Sequence, residues 1–246
     1  MKILSLGWGI QSFTLAAMAA LREIEPIDYA INADTTHERS STYEFAQKWT
    51  PWLEAHGVRT ITVKAEKTGV INPRGGVTIP AFIEKGGMIK RQCTDDWKRA
   101  PMRRWIQGNR TGETVEQWLG ISLDEFQRMK DSDVKYIVNR WPLVELRMTR
   151  NDCVVWLKRH DLEIPGKSAC VFCPFQRTSE WRQVRENASD STKALETDHE
   201  IREARLPGRL YVHPARIPLG EVDLRTPEEQ GQLSLWDDEC SGLCGV

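Results

Sequence analysis

Three short strand-like runs alternate with two helical runs over residues 2–63, and that order constrains the fold more than any other feature of the chain. Lys2 to Leu6 is an apolar run that stops at Gly7-Trp8-Gly9, and Ser12 to Arg22, rich in Ala, Leu and Met, reads as a helix. Ile27 to Ala33 reads as a second strand ending at Asp34-Thr35-Thr36, Ser41 to His56 as a second helix, and Val58 to Val63, with alternating β-branched residues, as a third strand. A chain that alternates in this way must return each strand parallel to the last through a right-handed crossover. The expected class is α/β: a Rossmann-like parallel sheet with helices on both faces, plus a C-terminal extension.

Beyond this unit the pattern loosens. Asn72 to Gly87 holds four glycines and two prolines and reads as a loop. A basic helix is expected from about Trp97 to Gln107, a strand over Glu116 to Ile121 and a short helix over Leu123 to Lys130. Arg140 to Leu146, with Pro142, is expected to be extended. Thr149-Arg-Asn-Asp152 forms a capping box that opens a helix through His160. Gly166 to Pro174 is a cysteine-bearing loop, Ser179 to Arg205 reads as helix, and the residues after Leu206 read as an extended tail. The expected division is a nucleotide-binding α/β domain over 1–165, with a metal loop, helix and tail over 166–246 packed on it.

Composition narrows the class. With 246 residues, 40% of them hydrophobic, and a net charge of −1, the chain can bury a sizeable core but offers no overall electrostatic footprint for nucleic acid. Local basic runs such as Arg103-Arg104 read as solvated helix surface rather than as a binding patch. Six cysteines in a chain of this length do not form a secreted disulfide scaffold. The N-terminal run is interrupted by Gly-Trp-Gly and Gln11-Ser12, which suits a strand-turn-helix better than a signal peptide. No stretch is apolar and long enough to span a membrane, and the expected location is the cytoplasm.

Two motifs carry chemistry. In the turn Ser5-Leu-Gly7-Trp-Gly9-Ile-Gln11-Ser12, glycine amides and a helix N-terminus can close around an anion at the carboxyl edge of the first strand. Cys170-Val-Phe-Cys173 puts two thiolates within reach of one metal centre, and Cys93 far upstream and Cys240/Cys244 at the C-terminal end are the other thiols to weigh with it. Cys153 has two readings: on the Thr149 helix it shares a face with Trp156 and Leu157 and can be core, or it can complete a ligand set. Asp34 can be a helix cap or face a ligand at the strand end.

The order of these segments resembles the phosphoadenosine-phosphosulfate (PAPS) reductase-like family of the adenine-nucleotide alpha-hydrolase superfamily. Gly9-Ile-Gln11-Ser12 looks like its modified pyrophosphate loop, and Ala33-Asp34-Thr35-Thr36-His37 with Thr42-Tyr43 is similar to its segment after strand two. Arg91-Gln92-Cys93 through Lys98 to Pro101, Leu119-Gly120-Ile121 through Arg128, Trp141-Pro142-Leu143, Cys170-Val-Phe-Cys173 and Glu239-Cys240 follow in the family's order. The resemblance implies an adenine nucleotide, PAPS or its unphosphorylated analogue or ATP with Mg²⁺. Its phosphate would sit on Ser5, Gly7, Gly9, Gln11 and Ser12, its adenosine near Asp34 and Thr35, and Lys98 would serve as an anion contact. It also implies a 4Fe–4S cluster on Cys93, Cys170 and Cys173, with Cys153 as candidate fourth ligand, structural zinc being the alternative. Cys240 would be the nucleophile toward sulfur and Cys244 a resolving thiol, or both are incidental tail thiols.

The sequence departs from that family at three places. Gln92 stands where iron–sulfur members have the first of two adjacent cysteines, Ser122 and Leu123 where the reductases have paired arginines, and Gln11 where the ATP-hydrolysing members have Asp. The leading expectation is an iron–sulfur enzyme doing thiol-based sulfur chemistry on an adenine nucleotide, served by a thioredoxin-like reductant. An ATP-dependent sulfurtransferase acting on a nucleic-acid base or nucleotide is the second, and a nucleotide-binding protein with structural zinc the third. A homodimer is compatible with each.

Overall fold

A computed structural model of the chain describes residues 1–112, 114–204, 208–226 and 229. The first five elements are β1 (Lys2–Ser5), α1 (Ile10–Ala20), β2 (Tyr29–Asp34), α2 (Ser40–Ala55) and β3 (Thr60–Lys64). They lie within a few residues of where the alternation puts them. The two-residue strand β4 (Phe82–Ile83) follows, then a π-helical segment Thr94–Arg99 that runs directly into α3 (Ala100–Asn109). Next come β5 (Val115–Trp118), a 3₁₀ turn Leu123–Arg128, β6 (Ile137–Arg140), α4 (Pro142–Glu145) and α5 (Arg150–Arg159). The order closes with α6 (Thr178–Glu186), α7 (Ala188–Arg202), β7 (Leu210–Tyr211) and a 3₁₀ turn Leu219–Glu221.

Five strands form one wholly parallel sheet in the order β3-β2-β1-β5-β6. Alternate residues of a strand face opposite sides, and the two cores follow from that. Leu4 and Ala30 face α1, α2 and α5, where Phe13, Leu15, Phe45, Leu53 and Leu157 are buried. Their neighbours Ile3 and Ile31 face α3, packing with Met102 and Ile106. Helices therefore cover both faces, as expected for this class. The strand order reverses direction between β1 and β5, which opens a crevice at the carboxyl ends of those strands.

A further core lies beyond the sheet. Val70, Ile79 and Trp97 pack with Phe172, Trp181 and Ile201, and β4 pairs antiparallel with β7. This core joins residues from both sides of position 165.

Two expectations are corrected. Arg140 to Leu146 is not extended: Arg140 ends β6 and Pro142 opens the short helix α4. Proline fits the first helical turn, where its missing N–H is not needed. The helical run from Ser179 is two helices, broken at Asn187, whose side chain accepts from the Asp190 amide at 3.0 Å and caps α7. The Thr149–Asp152 capping box is formed in both directions, at 3.2 and 2.8 Å. Among the described residues no helix is long and apolar enough to cross a membrane.

Candidate functional site: a strand-end cleft beside a cysteine loop

β1 delivers the chain into Gly7-Trp8-Gly9, where Trp8 adopts a left-handed φ of +56°. For a bulky residue that costs on the order of 1–2 kcal/mol. The indole is only 4% exposed and packs against Phe13 and Phe45, which offsets the strain. The Ser12 hydroxyl accepts from the Gly7 amide at 3.1 Å and donates to the Gly9 carbonyl at 3.2 Å, so it braces the turn from within. Gly9 precedes α1 without any side-chain cap, so the first amides of the helix have no capping side chain. Gly120, after β5, presses on the same spot. A Cβ there would stand 2.8 Å from the Ser12 amide nitrogen, so only glycine permits this approach.

Gln11 corrects its expected role. Its amide is buried and turned away from the turn, donating to Glu125 at 3.1 Å and accepting from Arg150 at 2.8 Å. It ties the start of α1 to the 3₁₀ turn and α5; its side chain is not a phosphate ligand. Ser5 does face the cleft, and its hydroxyl accepts from Gln117 at 2.8 Å.

The second strand end is more heavily braced. Asp34 accepts from the Thr36 amide at 2.7 Å and the Tyr43 hydroxyl at 2.8 Å, and pairs with Lys64 at 2.9 Å. Burial opposes its charge, yet these three donors outweigh it and hold the carboxyl below the usual carboxylate range. Thr36 is left-handed, at φ +63°, and its carbonyl accepts from Lys193 of α7. Thr35 is fully buried, with its hydroxyl 3.5 Å from the Cys170 sulfur rather than in the cleft.

Above these strand ends lies a cleft of about 1000 Å³. One half is bounded by Gly7, Trp8, Asn32, Asp34 and Tyr43 over β1 and β2. The other lies over β5 and β6 and is bounded by Gln117, Gln127, Lys130 and Asn139. Arg91, Lys98, Arg99, Arg103 and Arg128 also border it. Arg99 and Arg103 converge on Asp133, the first at 2.6 Å, and tie the helical wall to the loop after the 3₁₀ turn.

The cysteine loop abuts this cleft because residues 37–39 pair with residues 169–171. The Val171 amide donates to the His37 carbonyl at 2.9 Å, and the Arg39 amide to the Ala169 carbonyl at 3.2 Å. Between the two sites stands Glu38, 8% exposed, which pairs with Lys98 at 2.9 Å and accepts from Ser168 at 3.2 Å. Burial works against the Lys98 ammonium, but Glu38 and the Cys170 sulfur outweigh it and raise its pKa. Arg39 sits buried beneath, donating to Gln176, to Gln183 at 3.0 Å and to the Glu180 carbonyl at 3.2 Å.

Cys93 and Cys170 both pack against the core beyond the sheet, and Cys173 lies close enough to each for its charge to disfavour a thiolate there. Burial, with Glu38 beside it, pushes the Cys170 thiol up to about 12. Burial also raises Cys93, against the pull of Arg91. Cys153 is not brought to this group. It is wholly buried in the core between sheet and α5, its thiol against Thr14, and burial raises it to about 11. Position 153 is thus a core residue, a correction to its candidacy as a ligand. Among the described residues no three His, Cys, Asp or Glu stand close enough to hold a metal ion as they are. The thiols of Cys93 and Cys170 have cationic neighbours, Arg91 beside the first and Lys98 beside both. Cys240 and Cys244 lie outside the described residues.

Several site residues escape a reading by motif. Glu38 gives no signal, because its importance comes from pairing across the fold. The π-helical turn that carries Trp97 and Lys98 has no sequence signature, although such turns recur at functional sites. Gln117 and Asn139 could have been found from strand register once β5 and β6 were aligned.

No family model matches the chain, and no curated protein matches it. Among solved structures, it is similar to the crystal structure of a phosphoadenylyl-sulfate (PAPS) reductase from Candida auris in a phosphate complex. The TM-score is 0.45 and the identity 11%, over 67% of this chain and 74% of that one.

Proposed function

We propose that the chain is a PAPS-reductase-like enzyme performing thiol-based sulfur chemistry on an adenine nucleotide, with an iron–sulfur cluster held by Cys93, Cys170 and Cys173. The observation that carries this reading is a shared wall: Lys98 borders the strand-end cleft and is paired with Glu38, whose own backbone pairs with Cys170. Nucleotide and cysteine sites built on one salt bridge suit a reaction that needs both.

In this reading the first amides of α1 and the Gly7–Gly9 turn take the phosphate, and Asp34, held anionic, stays fixed at the ribose end. Lys98 supplies positive charge between phosphate and cysteines. A bound cluster would supply redox-active or Lewis-acidic iron beside the nucleotide. Cys240 would attack the sulfur of the sulfonucleotide, and the S–O bond electrons would leave with the nucleotide phosphate. A second thiol, Cys244 or that of a thioredoxin-like dithiol, would then attack the Cys240 sulfur, release sulfite and leave a disulfide, so that two thiols are oxidised as the sulfonate is reduced.

One observation favours a second reading, ATP-dependent sulfur transfer to a base or nucleotide. With Cys153 in the core, three thiols remain among the described residues, and Ser122, where the reductases carry an arginine, is wholly buried. Anaerobic purification, iron and sulfide analysis and a Mössbauer spectrum test the cluster. A brown protein whose colour is lost in Cys170→Ala is expected; a colourless protein with stoichiometric zinc would overturn both readings. PAPS or its unphosphorylated analogue should then yield sulfite and a trapped Cys240 adduct. Formation of AMP and pyrophosphate from ATP with an acceptor, without sulfite, would select the second reading.

A further inference from the structure

We infer that the half of the cleft over β5 and β6 is a separate subsite for a second, uncharged polar heterocycle of the nucleobase or nucleoside kind. The inference rests on the proposed function only in assigning the other half to the adenine nucleotide.

Gln117 of β5 and Asn139 of β6 are register partners, so their carboxamides lie side by side on one face of the sheet, and both border the cleft. Each is locked by its NH₂ group. Gln117 donates to Ser5 at 2.8 Å and to the Met102 sulfur at 3.2 Å, while Asn139 donates to the Lys130 carbonyl at 2.8 Å. The orientation of Gln117 follows from chemistry: the Ser5 hydroxyl gives its own hydrogen to Met102 and must accept from Gln117. Among the described residues neither amide oxygen has a donor, and each is fixed by the hydrogen bonds of its own NH₂ group. Gln127 also borders this half, with an exposed carboxamide able to donate and accept.

The charges here are largely spent on one another. Arg99 and Arg103 are held by Asp133, Arg128 by Glu125 at 2.7 Å, and Lys130 faces the same space as Asp131. That does not make a second phosphate cradle. Two fixed acceptors with an exposed carboxamide bordering the same space match a flat ligand whose edge carries N–H donors and an acceptor, as nucleobase edges do. The volume agrees, since about 1000 Å³ is at the upper end for one small-molecule site.

Calorimetric titration of the four ribonucleosides into the full chain, with and without saturating AMP, tests this. At least one nucleoside is expected to bind the AMP-loaded protein. Gln127→Leu, on an exposed residue, is expected to weaken it about tenfold, the loss of one to two hydrogen bonds, and Asn139→Leu at least as much. AMP affinity should stay within about twofold in Gln127→Leu. No nucleoside binding at all, displacement of AMP by the nucleoside, or binding unaffected by both substitutions would overturn the subsite. A nucleoside that binds in a Gln127-dependent manner while AMP does not bind would sustain the subsite and sink the nucleotide reading of the other half; AMP binding alone would do the reverse.

Discussion

The turn after β1 and the cysteine loop beside it are held in place by opposite means. The turn is set by local backbone geometry: a left-handed Trp8, a serine bracing its own helix start, and a glycine close enough to touch that start. The cysteine loop is set by long-range ties: the backbone pairing of residues 37–39 with 169–171, and around it the side-chain ties of Lys98 to Glu38, Arg39 to Gln176 and Gln183, and Lys193 to the Thr36 carbonyl. Backbone steric rules tolerate no gradual change, whereas a web of polar ties can loosen one strand at a time. The first arrangement suits a site that must present amides to an anion; the second suits thiols whose spacing must adapt to what they hold.

If that contrast is right, the two regions still depend on one core, and the largest effect should come from there. Phe172 is 2% exposed, lies between the two cysteines in sequence, and meets the His37 ring edge-on at 4.9 Å. Phe172→Ala should cost about 3–5 kcal/mol. A single calorimetric transition that shifts as a whole would show the cleft and the loop unfolding together. Two transitions, with only the lower one moved and nucleotide binding intact, would break the dependence.

Gly120→Ala sharpens the other side. The new methyl meets backbone, the Ser12 nitrogen at 2.8 Å and its Cα at 3.0 Å, and neither can swing aside. A loss of about 1–3 kcal/mol is expected from overpacking, measured by denaturant midpoint. The distinguishing readout is nucleotide affinity: it should fall at least severalfold while the absorbance of any cluster is unchanged. Wild-type affinity in a destabilised variant would show that the approach of Gly120 serves packing and not the anion site.

The same contrast explains what could be read in advance. From β1 to β3 every strand lies within reach of its neighbour in sequence, so period and turn residues suffice, and the elements fall where the alternation sets them. β4 and β7 are two residues each and pair across more than half the chain, so no periodicity announces them. Pro142 misleads because proline suits an extended edge and the first turn of a helix equally well; only the tertiary position chose. The turn around Gly7 and Gly9 was legible as a glycine link from strand to helix, but the setting of Gln11 was not, since its partners Glu125 and Arg150 come from elements far along the chain. Cys153 shows the reverse: its helix face with Trp156 and Leu157 was in the sequence, and burial against Thr14 settled which of its two readings held.

The smallest effect lies at the seam, in His37. Its Nε2 donates to the Thr68 carbonyl at 2.7 Å, its ring packs against Trp97 and Phe172, and its buried Nδ1 has no partner among the described residues. Burial, aided by the nearby Lys193, lowers its pKa below the ordinary histidine value despite the carbonyl of Thr68 and the carboxylates of Asp34 and Glu38. The folded protein therefore resists the proton that the unfolded chain takes up near pH 6.5, so this contribution is fully present above that pH and is lost as pH falls through and below it. His213, also lowered by burial, acts with the same sign and remains in both proteins. His37→Gln keeps the donor to Thr68 but cannot titrate. Its stability should fall less steeply than the wild type's between pH 7 and 5, by under about 1 kcal/mol. Parallel pH profiles would mean that the seam opens to water around His37, and that the cysteine loop is tied to β2 less tightly than its hydrogen bonds imply.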